Sequence, residues 1–393
     1  MDRCMQVAWL DGKQAIAEQN NFIFSPLCLR AGLALLAAGT HGPTLRQLLD
    51  FLGSEHTSHL DAASARLHAS IRAWPQVSFA AGVFVDRTIH LTPEFESTAV
   101  TAHAAVARPV DFTNRPAAAA AELNGFIERA TAGRIRNVVS PDGTGSGAAP
   151  SGMHFKATWA RRFDPEDTAR GVFHRGGGSS VRVPFLSDPG MQYAESFDGP
   201  GLGFKVLQCF YKMTGRDGRL DPRAPCFCML VFLPHDARDG GLARLLRLAV
   251  TEPDFVMRCV PRRQQVVRPC KVPKFRFRFD FDARAALRGL GLAAPFDPRD
   301  ADLSGMVADA PPEGLYVSAV GMACAVEVDE EGTTAVAAMY SHTRTSPTYS
   351  PDPTPPPPPM SFVADHPFMF AVVEYEKGDV LFLGHVMDPS KET

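Results

Sequence analysis

Residues 327–344, EVDEEGTTAVAAMYSHTR, constrain the fold more than any other stretch. They leave a strand at Val326 and Val328, then pass two acids, Glu330 and Glu331, and Gly332. Thr333, Thr334, Ala335, Val336, Ala337 and Ala338 follow, all small and uncharged. Ordinary loops are rich in Gly, Asn and Asp at special positions. This one tolerates β structure throughout, and it reads as a loop that can become a strand. Strand side chains alternate between faces. One face would carry Thr333, Ala335, Ala337, Met339, Ser341 and Thr343, all uncharged. The other would carry Thr334, Val336, Ala338, Tyr340, His342 and Arg344, so the bulky and charged groups fall on the side that can stay wet. A solvated loop with Ala-rich drift is the plain alternative.

Helical spacing appears over 14–19 and 27–38, with Pro26 where a first helical turn tolerates it. Further helices are expected at Thr44–Leu52 (ended by Gly53), His59–Trp74, Ala117–Thr131 (stopped at Gly133) and Gly241–Ala249. Strands are expected at Val77–Val85, Val181–Phe185, Phe204–Tyr211, Cys226–Leu233, Lys271–Phe281 and Leu315–Val328. Phe362–Pro389 reads as two strands joined at Lys377-Gly378-Asp379. Helices first, then mostly strands with helices interspersed, suit an α+β fold.

Several enzyme and binding classes find no support. Gly143-Thr144-Gly145-Ser146-Gly147 lacks the Lys-Ser/Thr of a phosphate loop and the spacing of a dinucleotide fingerprint. There is no Gly-x-Ser-x-Gly elbow and no His-Glu-x-x-His helix. His366 precedes Pro367 in an apolar segment and reads as a satisfied core residue. The eight cysteines show no Cys-x-x-Cys spacing, and Cys226 and Cys228 read as small core residues on one side of a strand. Cys4 is expected to be exposed. No cofactor or metal is called for. A net charge of −3 gives no field for nucleic acid or anionic membrane. Arg276 and Arg278 alternate with Phe275, Phe277 and Phe279, the pattern of an amphipathic strand. The N-terminus has no apolar h-region before Asp11 and Lys13, and no run reaches the roughly 18–20 apolar residues of a span. A cytoplasmic or nucleocytoplasmic monomer is expected, with release from damaged cells as the alternative.

Many segments, in order, resemble the serpin family, and specifically cereal serpins. They include FIFSPLCLRAGLALLAAG (Phe22–Gly39), GVFVD with LTPEF, Gly133-Arg134-Ile135 after a helix, and Phe155-Lys156 with Trp159. Lys274-Phe275, the Asp365-His366-Pro367-Phe368 segment and the closing LFLGHVMDP complete the set. The resemblance covers nearly the whole chain and implies one serpin domain over 1–393. It further implies three β-sheets, about eight to nine helices and an exposed reactive-centre loop at about 330–360.

The resemblance also implies a mechanism. An endopeptidase of the serine or cysteine class forms an acyl-enzyme on the loop. The cleaved loop then enters sheet A as an added strand and distorts the trapped protease, a suicide-substrate reaction driven by stored strain. The hinge would be Glu330, Glu331, Gly332, Thr333, Thr334, Ala335, Val336, Ala337 and Ala338. Lys274 and Glu330 match a pair at the top of sheet A, and Ser25, Cys28, Ser151 and Met322 match a central shutter. Counting from the hinge, the reactive bond is Ser346–Pro347, which proline makes a poor one; Arg344–Thr345 suits trypsin but lies two residues early. The tract PDPTPPPPP (Pro351–Pro359) should favour polyproline II, as a spacer or as a ligand for a polyproline-binding partner.

The departures from the family cluster. Cys28, Ser151 and Met322 stand where the shutter has Ser, Asn and His, and GTGSGAAPSGMHF replaces a long apolar central strand. Two expectations follow: a serine-type endopeptidase inhibitor, or a serpin-fold protein that is a substrate or a binding scaffold.

Overall fold

A computed structural model of the chain describes residues 3–131, 133, 135–136, 138–139, 147–199, 202–215, 217–236, 240–309, 315–333 and 359–391. Among them are nine α-helices. These are α1 (Arg3–Ala17), α2 (Pro26–Ala37), α3 (Gly42–Leu52), α4 (Thr57–Ala73) and α5 (Pro93–Thr101). The others are α6 (Pro116–Ala130), α7 (Gly241–Thr251), α8 (Phe255–Arg258) and α9 (Arg284–Gly289). Helix α2 starts where the sequence says it should, because Pro26 needs no N–H partner there and Ser25 Oγ accepts from the Cys28 amide at 3.2 Å.

The strands are β1 (Phe22–Phe24), β2 (Val77–Asp86), β3 (Val106–Val110), β4 (Gly147–Ala148), β5 (Ser151–Phe155) and β6 (Ala157–Thr158). Next come β7 (Ala169–His174), β8 (Ser180–Ser187), β9 (Gly190–Gly199), β10 (Leu202–Phe210), β11 (Phe227–Pro234) and β12 (Gln264–Pro273). The last are β13 (Phe275–Asp282), β14 (Gly321–Val328), β15 (Gly332–Thr333), β16 (Met360–Val363), β17 (Phe368–Glu374) and β18 (Asp379–Val386).

Among the described residues the strands form three sheets. One has the order β1-β18-β17-β11-β10-β9-β12-β8-β7, with β16 beside β12. Its centre is built from apolar runs, FCMLVFLP in β11 and FMFAVV in β17 before the buried Glu374, and both strands are buried at every position. The second has the order β13-β14-β5-β2-β3, with β4 on β2. The third joins β15 to β6.

The second sheet holds the key geometry. β5 and β14 are direct parallel neighbours, paired from Ser151↔Met322 to His154↔Ala325. No strand lies between them. Of the Gly/Pro-rich stretch before β5, residues 147–150 are described, and there the contact with the segment leading into β14 is kept. β5 pairs with β2 as Ala81↔Ser151, and β4 continues the same register as Phe84↔Ala148. The ladder is interrupted only around Ala149 and Pro150. Gly82 still donates to the Pro150 carbonyl at 3.2 Å, and what is missing is the N–H that proline lacks. That gap faces β2. On the opposite edge the Ala149 amide donates to the Ala319 carbonyl at 3.0 Å.

Other expectations need correction. Lys271–Phe281 is not one strand but β12 and β13, in different sheets, parted at Lys274. Pro273 brings no N–H to extend the first ladder, and the Lys274 amide turns to the Pro184 carbonyl at 2.9 Å. The expected strand from Leu315 is laddered only from Gly321, since the Val317 and Val320 amides are taken by Pro295 O and Asp282 Oδ1. The first helix begins at Arg3, not near residue 14. Cys4 lies on it fully buried, because Cys4, Val7, Ala8 and Ala15 form its inner stripe.

Candidate functional site

The expected hinge begins on a tight turn at Asp329–Gly332. Asp329 Oδ1 accepts from the amides of Glu331 (2.9 Å) and Gly332 (3.0 Å), and the Asp329 amide donates to the Gly332 carbonyl at 3.1 Å. Such a carboxylate-closed turn was legible as an Asp three residues before a Gly, yet the sequence reading passed over Asp329.

The turn is fastened to the segment that follows β5. The Trp159 indole Nε1 donates to the Asp329 carbonyl at 2.9 Å, and the Trp159 and Phe163 amides donate to the carbonyls of Glu331 (2.9 Å) and Glu330 (3.1 Å). Trp159 is itself held by stacking on Tyr211, with centroids 4.4 Å apart. Gly332 and Thr333 then pair antiparallel with Thr158 and Ala157.

Gly332 is required there. Its φ is +143°, and a Cβ would lie 2.3 Å from the Ala157 carbonyl oxygen and 2.6 Å from Thr158 Cα. Gly332→Ala is therefore expected to break the β15–β6 pairing, at a cost of about 1–3 kcal/mol of local stability. Faster proteolysis just after residue 332 would show it; an unchanged rate would mean the turn tolerates the methyl.

Two ion pairs brace the same turn. Lys274 Nζ lies 2.7 Å from Glu330 Oε2, with Thr168 Oγ1 donating to the other carboxylate oxygen at 3.0 Å. The break between β12 and β13 is what places Lys274 here. Burial pulls the Glu330 carboxyl up, but the hydrogen bonds from Lys274 and Thr168 outweigh it and hold the group below the usual glutamate value. Arg162 and Glu331 form the second pair at 3.0 Å. Arg162 and Thr168 were missed from sequence, since neither belongs to a spacing pattern.

Below the turn, the β5–β14 joint is sealed mainly by sulfur. Met322 is fully buried and faces Ser151, which is 3 % exposed. Ser25 Oγ donates to Met153 Sδ at 3.4 Å. Cys28 and Ser151 share a side-chain hydrogen bond, but burial outweighs it and pushes the thiol up to about 12. Burial, with Cys28 nearby, also holds the Cys324 thiol well above its usual value, so both remain neutral. The structure thus brings Ser25, Cys28, Ser151 and Met322 together, with Met153 and Cys324 as members the sequence reading did not include.

Thr334, Ala335, Val336, Ala337, Ala338, Arg344, Thr345, Ser346, Pro347 and the tract 351–358 lie outside the described residues. Among the described residues no group of His, Cys, Asp and Glu is arranged to hold a metal ion. No described helix is long and apolar enough to cross a membrane.

Comparison with known proteins places this architecture. A family model described as serpin (serine protease inhibitor) matches residues 10–389. The chain is similar to two rice (Oryza sativa subsp. japonica) proteins, a putative non-inhibitory serpin-10 (64% identical) and a putative non-inhibitory serpin-Z11 (53% identical). Each match covers 100% of both chains. It is 38% identical to wheat (Triticum aestivum) serpin-Z1C, over 94% of this chain and 90% of the relative. The solved structure of Arabidopsis AtSerpin1 in its native stressed conformation superposes with a TM-score of 0.79 at 31% identity, covering 100% of both chains. With a closed β5–β14 joint, a turn fastened by Lys274 and Glu330, and these matches along its length, the chain belongs to the serpin family.

Proposed function

We propose that this chain is a non-inhibitory serpin, whose loop a protease cuts as a substrate without being trapped. Met322 carries the reading. Insertion requires β5 and β14 to part at Ser151 and Met322, where the fully buried side chain is a thioether. A polar side chain there can trade one hydrogen-bond partner for another as the strands separate. A thioether donates nothing and accepts weakly, so on opening Met322 gives up packing with no polar exchange of its own in return.

The loop itself adds an obstacle. Continued in the register of Gly332↔Thr158 and Thr333↔Ala157, an entering strand would set Ala337 opposite Met153 and Met339 opposite Ser151. Met339 shares the alternation of Thr333 and would meet a joint already occupied by Met322. Overpacking of that kind costs about 1–3 kcal/mol. Pro347 behind the counted bond, and two relatives named putative non-inhibitory serpins, support the same reading.

The inhibitory reading retains one specific support: the β5 register is unbroken on its β14 edge, so an acceptor ladder exists. Incubation with trypsin followed by a denaturing gel separates the two. Cleavage near Arg344 into two fragments, with no SDS-stable band of summed mass, is expected. A covalent band at the summed mass would establish trapping and reject the proposal.

A further inference from the structure

We infer that a cleft between α2, α4 and the β17–β18 turn binds a small amphipathic anion, a carboxylate on a short alkyl or aryl body. The cleft lies away from the loop and rests on observations independent of the non-inhibitory reading. Its volume is about 280 Å³, near the lower end for small-ligand sites. The floor is mostly apolar, with Ala31 and Ala34 from α2 and Leu60 and Leu67 from α4 around one buried serine, Ser64.

The rim is cationic. Arg30, Arg66 and Lys377 line it, against one acid, Asp379, in a chain whose overall charge is −3. None of the three cations has a carboxylate partner among the described residues. Arg30 donates to the Leu52 carbonyl at 3.2 Å. Lys377 Nζ lies 3.3 Å from Ser70 Oγ and 5.7 Å from the Trp74 ring centroid, which holds the ammonium over the cleft side of α4. Arg66 is exposed.

An apolar floor under unpaired cations has one chemical complement. A hydrocarbon body gains by leaving water for the Ala and Leu surface, and an anionic head gains charge-assisted hydrogen bonds at the rim. A neutral or cationic amphiphile of the same shape gains only the first. The volume also sets the scale: it admits a body of roughly ten heavy atoms. Because the ligand would touch both α2 and α4, binding would favour the folded state and raise the melting temperature.

The test uses the intact protein with three matched probes, octanoate, octylammonium and 1-octanol, followed by titration calorimetry and thermal melting. Octanoate is expected to bind at one site per chain, at least tenfold more tightly than either other probe, and to raise the melting temperature. Arg66→Glu, a change on the exposed face of α4, is expected to weaken octanoate at least tenfold while leaving the ligand-free melt unchanged. Ala63→Trp, which fills the half-buried mouth, is expected to abolish binding. Equal binding of octanol, unchanged octanoate affinity in Arg66→Glu, or no octanoate binding would each overturn the assignment.

Discussion

Acidification from pH 6.5 to 4.5 will cost the fold about 2 kcal/mol through His385 alone. This histidine is fully buried on β18, stacked on Phe22 with centroids 5.4 Å apart, and its Nε2–H donates to the Asn20 carbonyl at 3.2 Å. Burial lowers its pKa from 6.5 to about 3, against a small opposing effect of the Asn20 carbonyl. The folded state therefore keeps a neutral ring through this window, while the unfolded chain takes up a proton below 6.5. The unfolded state binds more protons, so stability falls as pH falls, until the folded ring itself titrates near 3.

His68 adds in the same direction, lowered to about 4 by burial first and then by His103 and Arg72. His103 is also lowered by burial, despite its 2.9 Å contact with Asp61. Asp11 opposes them. Burial raises its carboxyl to about 6, so its protonation favours the folded state as pH falls. Denaturant titrations of the parent and His385→Gln at stepped pH will isolate the main contribution. Glutamine keeps a donor for Asn20 O but cannot titrate, so the slope of stability against pH should flatten by about one proton. An unchanged slope would show that His385 is not held neutral.

Trp159→Ala is expected to cost about 3–5 kcal/mol and to loosen the hinge together with the core. The indole is 2 % exposed, stacks on Tyr211 and packs edge-on against Phe163, so truncation leaves a cavity among aromatics. It also removes the Nε1–H that satisfies the Asp329 carbonyl. Trp159→Phe separates these roles. It keeps a ring against Tyr211 and loses mainly one hydrogen bond, worth about 1 kcal/mol. The alanine variant should unfold at clearly lower denaturant concentration. Both variants should be cut faster within the loop. A phenylalanine variant with parental loop proteolysis would mean that the backbone bonds, and not the indole, hold the turn.

Local signals carried most of the architecture. Pro26 after Ser25 set the start of α2, Gly53 closed α3, and the apolar runs of β11 and β17 announced buried strands. Lys274 and Glu330 were paired through the family resemblance, since residues that far apart share no local pattern. What stayed illegible depended on non-local partners. Alternation runs smoothly through Lys271–Phe281, and only the path of neighbouring strands shows that the chain changes sheets at Lys274. Gly147 and Pro150 before β5 argued for a weakened strand. Tertiary register overrode them, because the single lost N–H faces β2 and not the joint with β14. Cys4 lies on a helix whose stripe closes against α7 and the core, packing that no short window displays.

The central claim is that the β5–β14 joint does not admit the cut loop, and the thermal melt of the cleaved protein tests it most directly. After limited trypsin cleavage near Arg344, the purified two-fragment protein should melt at or below the temperature of the intact chain, because the sulfur-sealed seam stays closed. A melting temperature raised far above that of the intact protein would show that the loop had become a strand between β5 and β14, and would contradict the account.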